Sequence, residues 1–356
     1  MNIITKIIFG AVILFMTAPV FSQTTDSDVP TLPEILKSSR FDGVIKTKLE
    51  TSAETGMMRF NVRNSRVGVR GDIGEYLSYR MQMELSNEGR FEPLDLFGTM
   101  KPTKNLSFSF GQQNIPFDNN YIIAPGEMMF ANRTFLGKYF SSGTRDIGAV
   151  AQYRLNIDGF PIEGQMGMFN GGSINTPRWT DRPSLAFRMI VGSMSGFRSS
   201  AKIYRYSNEY SNRDMLLWGA DVRYSNSRLR IETEMMKRNS KNTEIVSDLF
   251  GAYIQGTYQF DLPNPHGMFR YLTPAARLDA MGYDVRKSGF DVTRFTCGLQ
   301  FGLTFMPFDS LLRIDYEQYF LRKNINFPTL VKPNFDSPRD DYATDNKVTV
   351  ELIVRF

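Results

Sequence analysis

The stretch Val348-Thr-Val-Glu-Leu-Ile-Val-Arg-Phe356 decides the fold of this chain. Its even-numbered positions are all apolar, from Val348 to Phe356, whereas the odd-numbered positions include Thr349 and Glu351. A period of two indicates an extended strand with one apolar face. A strand that ends on an aromatic C-terminal residue is the kind of signal that the barrel-assembly machinery of bacterial outer membranes reads. The stretch therefore predicts the last strand of a membrane β-barrel.

The N-terminus has the pattern of a secretory signal. A basic residue precedes the short apolar run Ile7–Met16, and the segment that ends at Ser22 has the small-residue pattern of a cleavage site. Because the apolar run is too short to span a bilayer as a helix, we expect a cleaved signal peptide, and an uncleaved anchor is the alternative. The predicted organisation is a signal peptide over 1–22, a short periplasmic N-terminal segment over 23–42 and a transmembrane β-barrel over 43–356.

The composition excludes several other classes of protein. A mean hydropathy of −0.29, without a further long apolar stretch, excludes a helical membrane protein. The 28 Gly, 29 Phe and 16 Tyr favour a sheet. One cysteine, Cys297, and one histidine, His266, cannot form a disulfide or a zinc or haem site of the usual type, so we expect no cofactor. The net charge of +5 is compatible with anionic solutes or a lipopolysaccharide surface and does not require nucleic acid.

The rest of the chain reads as a series of strands, each near the ten-residue length that a tilted membrane strand needs. The sixteen predicted strands cover 43–50, 58–72, 76–86, 93–102, 105–113, 146–155, 161–170, 184–193, 197–206, 215–224, 228–238, 248–260, 270–283, 292–306, 310–321 and 346–356. Short turns alternate with longer polar links, as in an up-and-down barrel with both termini in the periplasm. The longer links are predicted at 51–57, 87–92, 114–145, 171–183, 207–214, 239–247, 284–291 and 322–345.

The strand predicted at 292–306 shows the two faces most clearly. Its apolar face contains Phe295, Cys297, Leu299, Phe301, Leu303 and Phe305. A soluble barrel with an apolar interior would have the same period. The signal peptide, the terminal Phe356 and the number of strands favour a membrane barrel instead, with the apolar face toward lipid and the polar face lining a lumen. A closed sheet of this many strands is too wide for side chains to fill, so we expect the lumen to hold water.

Charged residues are concentrated on the predicted lumen-facing positions. The basic ones are Lys46, Lys48, Arg66, Arg70, Arg80, Arg188, Arg223, Arg228, Arg230, Arg277, Arg294 and Arg313. The acidic ones are Asp72, Glu84, Asp221, Glu232, Glu234, Asp279, Asp315 and Glu317. Two interpretations are open. The charges either pair with one another across a solvated wall that holds the shape of the barrel, or the arginines form a path that passes a phosphate or carboxylate from site to site.

The link over 114–145 is the longest internal connection and the third outward loop. It contains the basic residues Arg133, Lys138 and Arg145 together with many apolar side chains. Those apolar groups need a place to be buried, and folding back into the lumen would bury them and narrow the pore. The sequence therefore predicts an inward-folded third loop. A packed external lid or a trimer contact is the alternative.

Five short runs occur in an order that resembles the phosphate-selective porin O/P family. They are Ser65–Gly71, Leu77–Arg80, Phe108–Phe117, Met129–Phe135 and Gly143–Gly148. The resemblance is clearest over about residues 40–170. It implies a sixteen-stranded outer-membrane barrel, usually trimeric, with the third loop in the pore. Arg133 matches the basic position of the family's loop motif and Arg145 the basic residue before Asp-Ile-Gly, while Asn132 stands where the motif commonly has an acid.

The expected function is that of an outer-membrane porin for passive diffusion of small hydrophilic solutes, with a mild preference for anions such as phosphate. The expected pore constriction and anion path consist of Arg133, Lys138, Arg145, Arg66, Arg70, Arg80 and Arg313. The expected partners are small anionic or polar solutes, outer-membrane lipid and lipopolysaccharide, and two further copies in a homotrimer. A non-channel barrel that acts as an adhesin, receptor or structural anchor is the alternative. An enzyme is not expected, because no serine lies in a Gly-x-Ser-x-Gly setting.

Overall fold

Strands make up most of the computed structural model, which describes residues 38–87, 90–119, 123–140, 144–243, 246–263, 267–304, 310–322 and 344–356. All of the strands belong to one compact unit, Ser39–Phe356. The predicted signal peptide and most of the 23–42 segment lie outside the described residues. His266 and Phe305 lie outside them as well.

Seventeen strand segments follow one another in the described part of the chain. They are β1 (Arg40–Ser52), β2 (Met58–Ile73), β3 (Leu77–Asn87), β4 (Arg90–Met100), β5 (Leu106–Asn114), β6 (Arg145–Ile157), β7 (Phe160–Phe169), β8 (Ser184–Gly192), β9 (Gly196–Asn208), β10 (Arg213–Ser225), β11 (Leu229–Ser240), β12 (Leu249–Tyr258), β13 (Phe260–Asp261), β14 (Phe269–Gly282), β15 (Val292–Leu303), β16 (Leu311–Leu321) and β17 (Lys347–Arg355). Because β12 and β13 are separated by Gln259 alone and both pair with β14, they are two parts of one barrel strand. The sheet therefore contains sixteen barrel strands.

The sheet closes on itself. Each strand pairs antiparallel with its neighbours in sequence, and β1 also pairs with β17, from Val44 opposite Arg355 to Ser52 opposite Lys347. Closure leaves no row of unpaired backbone groups at an edge. This arrangement confirms the predicted all-β class, an up-and-down antiparallel β-barrel of about 16 strands.

The links alternate in length, with one difference from the prediction. The turn between β6 and β7 is only Asp158-Gly159, whose φ angles of 51° and 82° suit a tight two-residue hairpin. The link predicted as a longer loop over 87–92 is shorter, because β3 extends to Asn87 and β4 begins at Arg90. The prediction was wrong there because the ladder between β3 and β4 continues to the pair Asn87–Arg90.

Apolar side chains point outward and charged ones inward. In β15, Leu299 is 42% exposed, whereas Arg294 and Thr296 on the other face are 2% and 0% exposed. In β17, Leu352 is 39% exposed and Glu351 is 1% exposed. This is the pattern of a membrane barrel and the reverse of a soluble one.

Leu303 is an exception to the predicted outward face. Its side chain is buried at the last position of β15, where the strand ends and the Leu303 N–H donates to the Ser310 carbonyl. The prediction that Leu303 is exposed to lipid was therefore wrong, and the outward face of β15 is represented by Phe295, Cys297 and Leu299.

The C-terminal residue completes the closure of the barrel. The N–H of Phe356 donates to the Gly43 carbonyl, and the Gly43 N–H donates back to the Phe356 carbonyl at 2.7 Å. The aromatic ring lies over Gly43, where an added Cβ would be 2.3 Å from the ring Cζ. Only glycine leaves room for the ring in this position.

Helices are short and few among the described residues. They are the 3₁₀ turn Pro125–Glu127, α1 (Phe135–Tyr139) and α2 (Val285–Ser288). Within the described ranges, every helix falls short of the length and apolar character that a membrane crossing requires. The first two belong to the segment between β5 and β6, called the third loop below, of which residues 115–119, 123–140 and 144 are described.

Leu299 provides a test of the outward face. Replacing Leu299 with Arg is expected to lower the free energy of unfolding by about 2–4 kcal/mol, because the charge would face the hydrocarbon core near the middle of β15. The measurement is a denaturant titration of the barrel in lipid vesicles. Leu299→Met, which keeps the apolar surface, is the control and should unfold as the natural protein does. Equal stabilities for both variants would contradict the assignment of this face to lipid.

Candidate pore and constriction

The described residues of the third loop pack against the inner wall of the barrel. Phe117, Phe135, Leu136 and Phe140 of the loop are almost fully buried and belong to one apolar cluster with the inner wall. The inner-wall members of that cluster are Phe169, Ala186, Tyr204, Tyr206, Met215, Leu217, Met236, Leu249, Tyr253, Met281 and Val292. The apolar residues of the loop are thus removed from water by an apolar patch on one side of the lumen.

Two features allow α1 to pack against this patch: a side-chain cap at the start of the helix and a glycine in the facing wall. The Thr134 hydroxyl accepts a hydrogen bond from the Gly137 N–H at 3.3 Å and caps the start of the helix. Opposite the helix, a Cβ added to Gly251 of β12 would be 2.8 Å from both Leu136 Cδ2 and Phe140 Cζ. The missing side chain therefore allows the loop helix to approach the wall closely.

Polar side chains of β14, β15 and β16 bind the loop backbone next to this helix. Guanidinium and amide groups donate to loop carbonyls: Arg313 to Met128 at 2.5 Å, Gln300 to Met129 at 2.6 Å, Arg277 to Asn132 at 2.9 Å and Arg294 to Arg133 at 2.7 Å. Carboxylates accept from loop N–H groups: Asp315 from Ala131 at 2.7 Å and Asp279 from Phe135 at 2.9 Å. We call Arg277, Asp279, Arg294, Gln300, Arg313 and Asp315 the clamp.

The charges of the clamp are paired with one another and with their neighbours. Asp279 lies 2.6 Å from Arg294, and Glu317 Oε1 lies 2.9 Å from Arg294 and 3.3 Å from Arg277. Arg313 lies 3.1 Å from Glu351, which also pairs with Lys46 at 3.1 Å. Charges this deeply buried require such partners. On this side of the lumen the charges therefore pair with one another across the wall, as in the first of the two interpretations of the sequence.

A second buried ionic group lies on β8–β11. Asp221 is 3.4 Å from each of Arg188, Arg198 and Lys202, and Lys202 also forms an ion pair with Glu234. Arg188 also donates to the side-chain oxygen of Asn119 in the third loop. The two ionic groups therefore anchor the loop to the wall at two separate places.

Three of the predicted constriction residues come together. Arg66 lies within electrostatic range of both Arg133 and Arg145. Arg66 pairs with Glu84 at 2.8 Å, and Arg145 pairs with Asp95 at 2.6 Å. Arg133 is the basic residue that the loop contributes beside these two ion pairs. We call Arg66, Arg133 and Arg145 the basic cluster.

The other four predicted residues lie elsewhere. Arg70 and Arg80 face each other across β2 and β3, and Arg80 donates to both carboxylate oxygens of Asp42. Lys138 is in α1, 5.2 Å from the centre of the Tyr139 ring. Arg313 is part of the clamp and is fully buried. The seven residues thus do not form one site.

Water reaches the inner wall mainly on β2–β7. Most inward-facing residues of β8–β12 and β14–β17 are buried, whereas those of β2–β7 are often partly exposed. We call this exposed set the open strip: Arg63, Arg70, Arg80, Gln82, Thr99, Ser109, Gln152, Arg154 and Gln165. Its hydroxyl and amide groups include the pair Thr99–Ser109, whose oxygens are 2.9 Å apart. The loop therefore covers one side of the lumen and leaves a polar path on the other.

The sequence pattern placed the clamp carboxylates among the charged residues of the barrel wall and did not predict that they bind the loop. Asp279 and Asp315 accept N–H groups of a loop that lies 144 and 184 residues away in sequence. Asn132 also binds the wall, accepting from Lys48 at 2.9 Å and donating to Glu317 at 3.2 Å. Nearly every residue type has the same backbone N–H group. A sequence pattern therefore cannot show which loop residue a wall carboxylate will bind.

The fold, but not a family, is identified by comparison with known proteins. No protein-family model and no curated protein matches the sequence. Similar solved structures include an anion-selective porin from Comamonas acidovorans (13% identity, 90% of this chain and 99% of that one, TM-score 0.59). They also include the outer membrane channel DcaP of Acinetobacter baumannii (13% identity, 89% of this chain and 97% of that one, TM-score 0.55). A third is a loop-deletion mutant of the outer membrane protein OmpT of Vibrio cholerae (15% identity, 89% of this chain and 99% of that one, TM-score 0.57). At these identities the likeness shows the barrel fold that outer-membrane porins share.

Proposed function

We propose that this chain is an outer-membrane porin through which small hydrophilic solutes diffuse passively, with a mild preference for anions such as phosphate. The observation that carries the proposal is the packing of the third loop against the inner wall, with the basic cluster on the loop and the adjoining wall. A loop in this position narrows the lumen and brings fixed charge close to a passing solute. The proposed activity needs no catalytic group.

The preference is proposed as mild because most of the positive charge is already compensated. Arg277, Arg294 and Arg313 pair with acids and bind the loop, so their fields are largely cancelled. The basic cluster and the open strip are proposed to act on solutes only weakly, because their arginines are also largely paired with acids: Arg66 with Glu84, Arg145 with Asp95, Arg80 with Asp42 and Arg154 with Glu163. The similar fold of a porin described as anion-selective supports this assignment.

The proposed location is the bacterial outer membrane, with both termini periplasmic. The start of β1 lies beside the end of β17, at the barrel end that carries the short turns such as Asp158-Gly159. The outward apolar face supports contact with outer-membrane lipid and lipopolysaccharide. A homotrimer is proposed as the assembly, because the same apolar face can pack against further copies.

Planar-bilayer recording tests the proposed function. Purified, folded protein is expected to give steady conductance steps, and in a KCl gradient the reversal potential should have the sign of chloride preference. Added phosphate should reduce the chloride current if both anions use the same path. Heat-unfolded protein is the control. Folded protein without conductance would contradict the channel and would favour the adhesin, receptor or anchor alternative.

A further inference from the structure

We propose that Arg277, Arg294 and Arg313 determine the selectivity of the constriction without touching the solute. They are positioning residues that fix the loop segment Met128–Phe135, and with it Arg133, at one place in the lumen. The selectivity part of this inference rests on the proposed channel function. The positioning part concerns the folded barrel alone.

The hydrogen bonds of Arg294 leave no donor for a solute. A guanidinium has five N–H donors. Nε donates to Asp279 at 3.0 Å, Nη1 to Glu317 at 2.9 Å and to the Tyr319 hydroxyl at 3.2 Å, and Nη2 to Asp279 at 2.6 Å and to the Arg133 carbonyl at 2.7 Å. With all five donors used inside a buried contact, Arg294 binds the loop and not a passing anion.

Arg277 and Arg313 are also too deeply buried to bind a passing anion. Arg277 is 2% exposed and Arg313 is 0% exposed. Arg277 bonds to the Asn132 carbonyl, Thr296 and Glu317, and Arg313 bonds to Glu351 and to the Met128 carbonyl. Both side chains bind the loop and are almost wholly removed from solvent.

Aromatic rings of the loop complete the contact. The Arg294 guanidinium lies 4.6 Å from the centre of the Phe135 ring, and the Arg277 guanidinium lies 4.6 Å from that of Phe130. A planar guanidinium can stack on a ring and donate at its edges at the same time, whereas a lysine ammonium cannot. The contact therefore requires the shape of arginine in addition to its charge.

Fixing the loop also fixes the basic cluster. Arg294 binds the carbonyl of Arg133 itself, and the Arg133 side chain acts on Arg66. If the segment Met128–Phe135 moved away from β14–β16, Arg133 would occupy many positions. Its field on a passing ion would then be averaged and weaker.

Two variants that preserve the net charge separate positioning from direct electrostatics. Arg294→Lys keeps the charge but not the five-donor contact, and Phe135→Leu removes the ring beneath the guanidinium. We expect both to speed hydrogen exchange of the Met128–Phe135 amides about tenfold, as for the loss of one strong hydrogen bond. Both should also increase open-channel noise and move the reversal potential toward zero. Matched controls are Arg228→Lys, which keeps its charge in an exposed pair with Asp261, and Phe110→Leu on the exposed outward face.

If both variants show the hydrogen-exchange rates and the reversal potential of the natural protein, the inference is overturned. The positive charge alone would then be sufficient for selectivity. If Arg294→Lys fails to fold, as judged by its heat-modifiable electrophoretic mobility, Phe135→Leu decides the outcome alone. Natural protein without conductance would instead contradict the proposed function and the selectivity role. Hydrogen exchange would still decide whether the three arginines hold the loop.

Discussion

Replacing Asp279 with Asn is expected to destabilise the barrel by about 3–5 kcal/mol, the cost of breaking a buried ion pair by removing one partner. The Asp279 side chain is fully buried between Arg294 at 2.6 Å and Arg277 at 3.8 Å. Without its negative charge, both guanidinium groups would rely on Glu317 Oε1. The measurement is the free energy of unfolding in lipid vesicles, from a denaturant titration.

The control for this change is Asp72→Asn at an exposed ion pair. Asp72 lies 2.7 Å from Lys101, but the two side chains are 64% and 39% exposed. Exposed pairs of this kind contribute about 0–1 kcal/mol, so this variant should unfold nearly as the natural protein does. Similar stabilities for the two variants would show that the buried charges do not contribute to the stability of the barrel.

Replacing both Arg66 and Arg133 with Gln is expected to shift ion selectivity strongly toward cations. Two unit charges about 6 Å from a passing ion in water contribute roughly 1–1.5 kcal/mol, with opposite sign for chloride and potassium, so the ratio of chloride to potassium permeability could change by up to about a hundredfold before screening. The shift should be largest at low salt, because the screening length is about 10 Å at 0.1 M. The measurement is the reversal potential in a KCl gradient.

Arg228→Gln combined with Lys241→Gln removes the same amount of charge from exposed positions. Arg228 pairs with Asp261, and Lys241 pairs with Asp214, both at the surface. This control should keep nearly the natural reversal potential. If Arg66 and Arg133 can be replaced without a larger shift than in the control, the basic cluster is not the filter.

Much of the fold could be predicted from local pattern. In β17 the alternation of Val348, Thr349, Val350 and Glu351 in sequence matches the alternation of exposed and buried side chains in the structure. The prediction failed where a local signal was weak. At 87–92 the polar composition resembled a loop, yet backbone pairing continued to the pair Asn87–Arg90.

The candidate site was less predictable than the fold. The loop boundaries after Asn114 and before Arg145 lie within one residue of the predicted bounds of 114–145, and Arg133 and Arg145 each interact electrostatically with Arg66. Arg313 was grouped with them because it has the same residue type on the same kind of face. Its actual partners are Glu351 and a loop carbonyl.

The sequence by itself determined that this protein is a closed sheet, because strand period, turn length and the polarity of each face are properties of neighbouring residues. Only the tertiary structure decided which charges face water. Arg294 binds a carbonyl 161 residues away, and every residue type carries the same carbonyl group. A guanidinium that holds a loop and one that faces a solute therefore look alike in sequence, and they differ only in what the folded chain places within hydrogen-bonding distance.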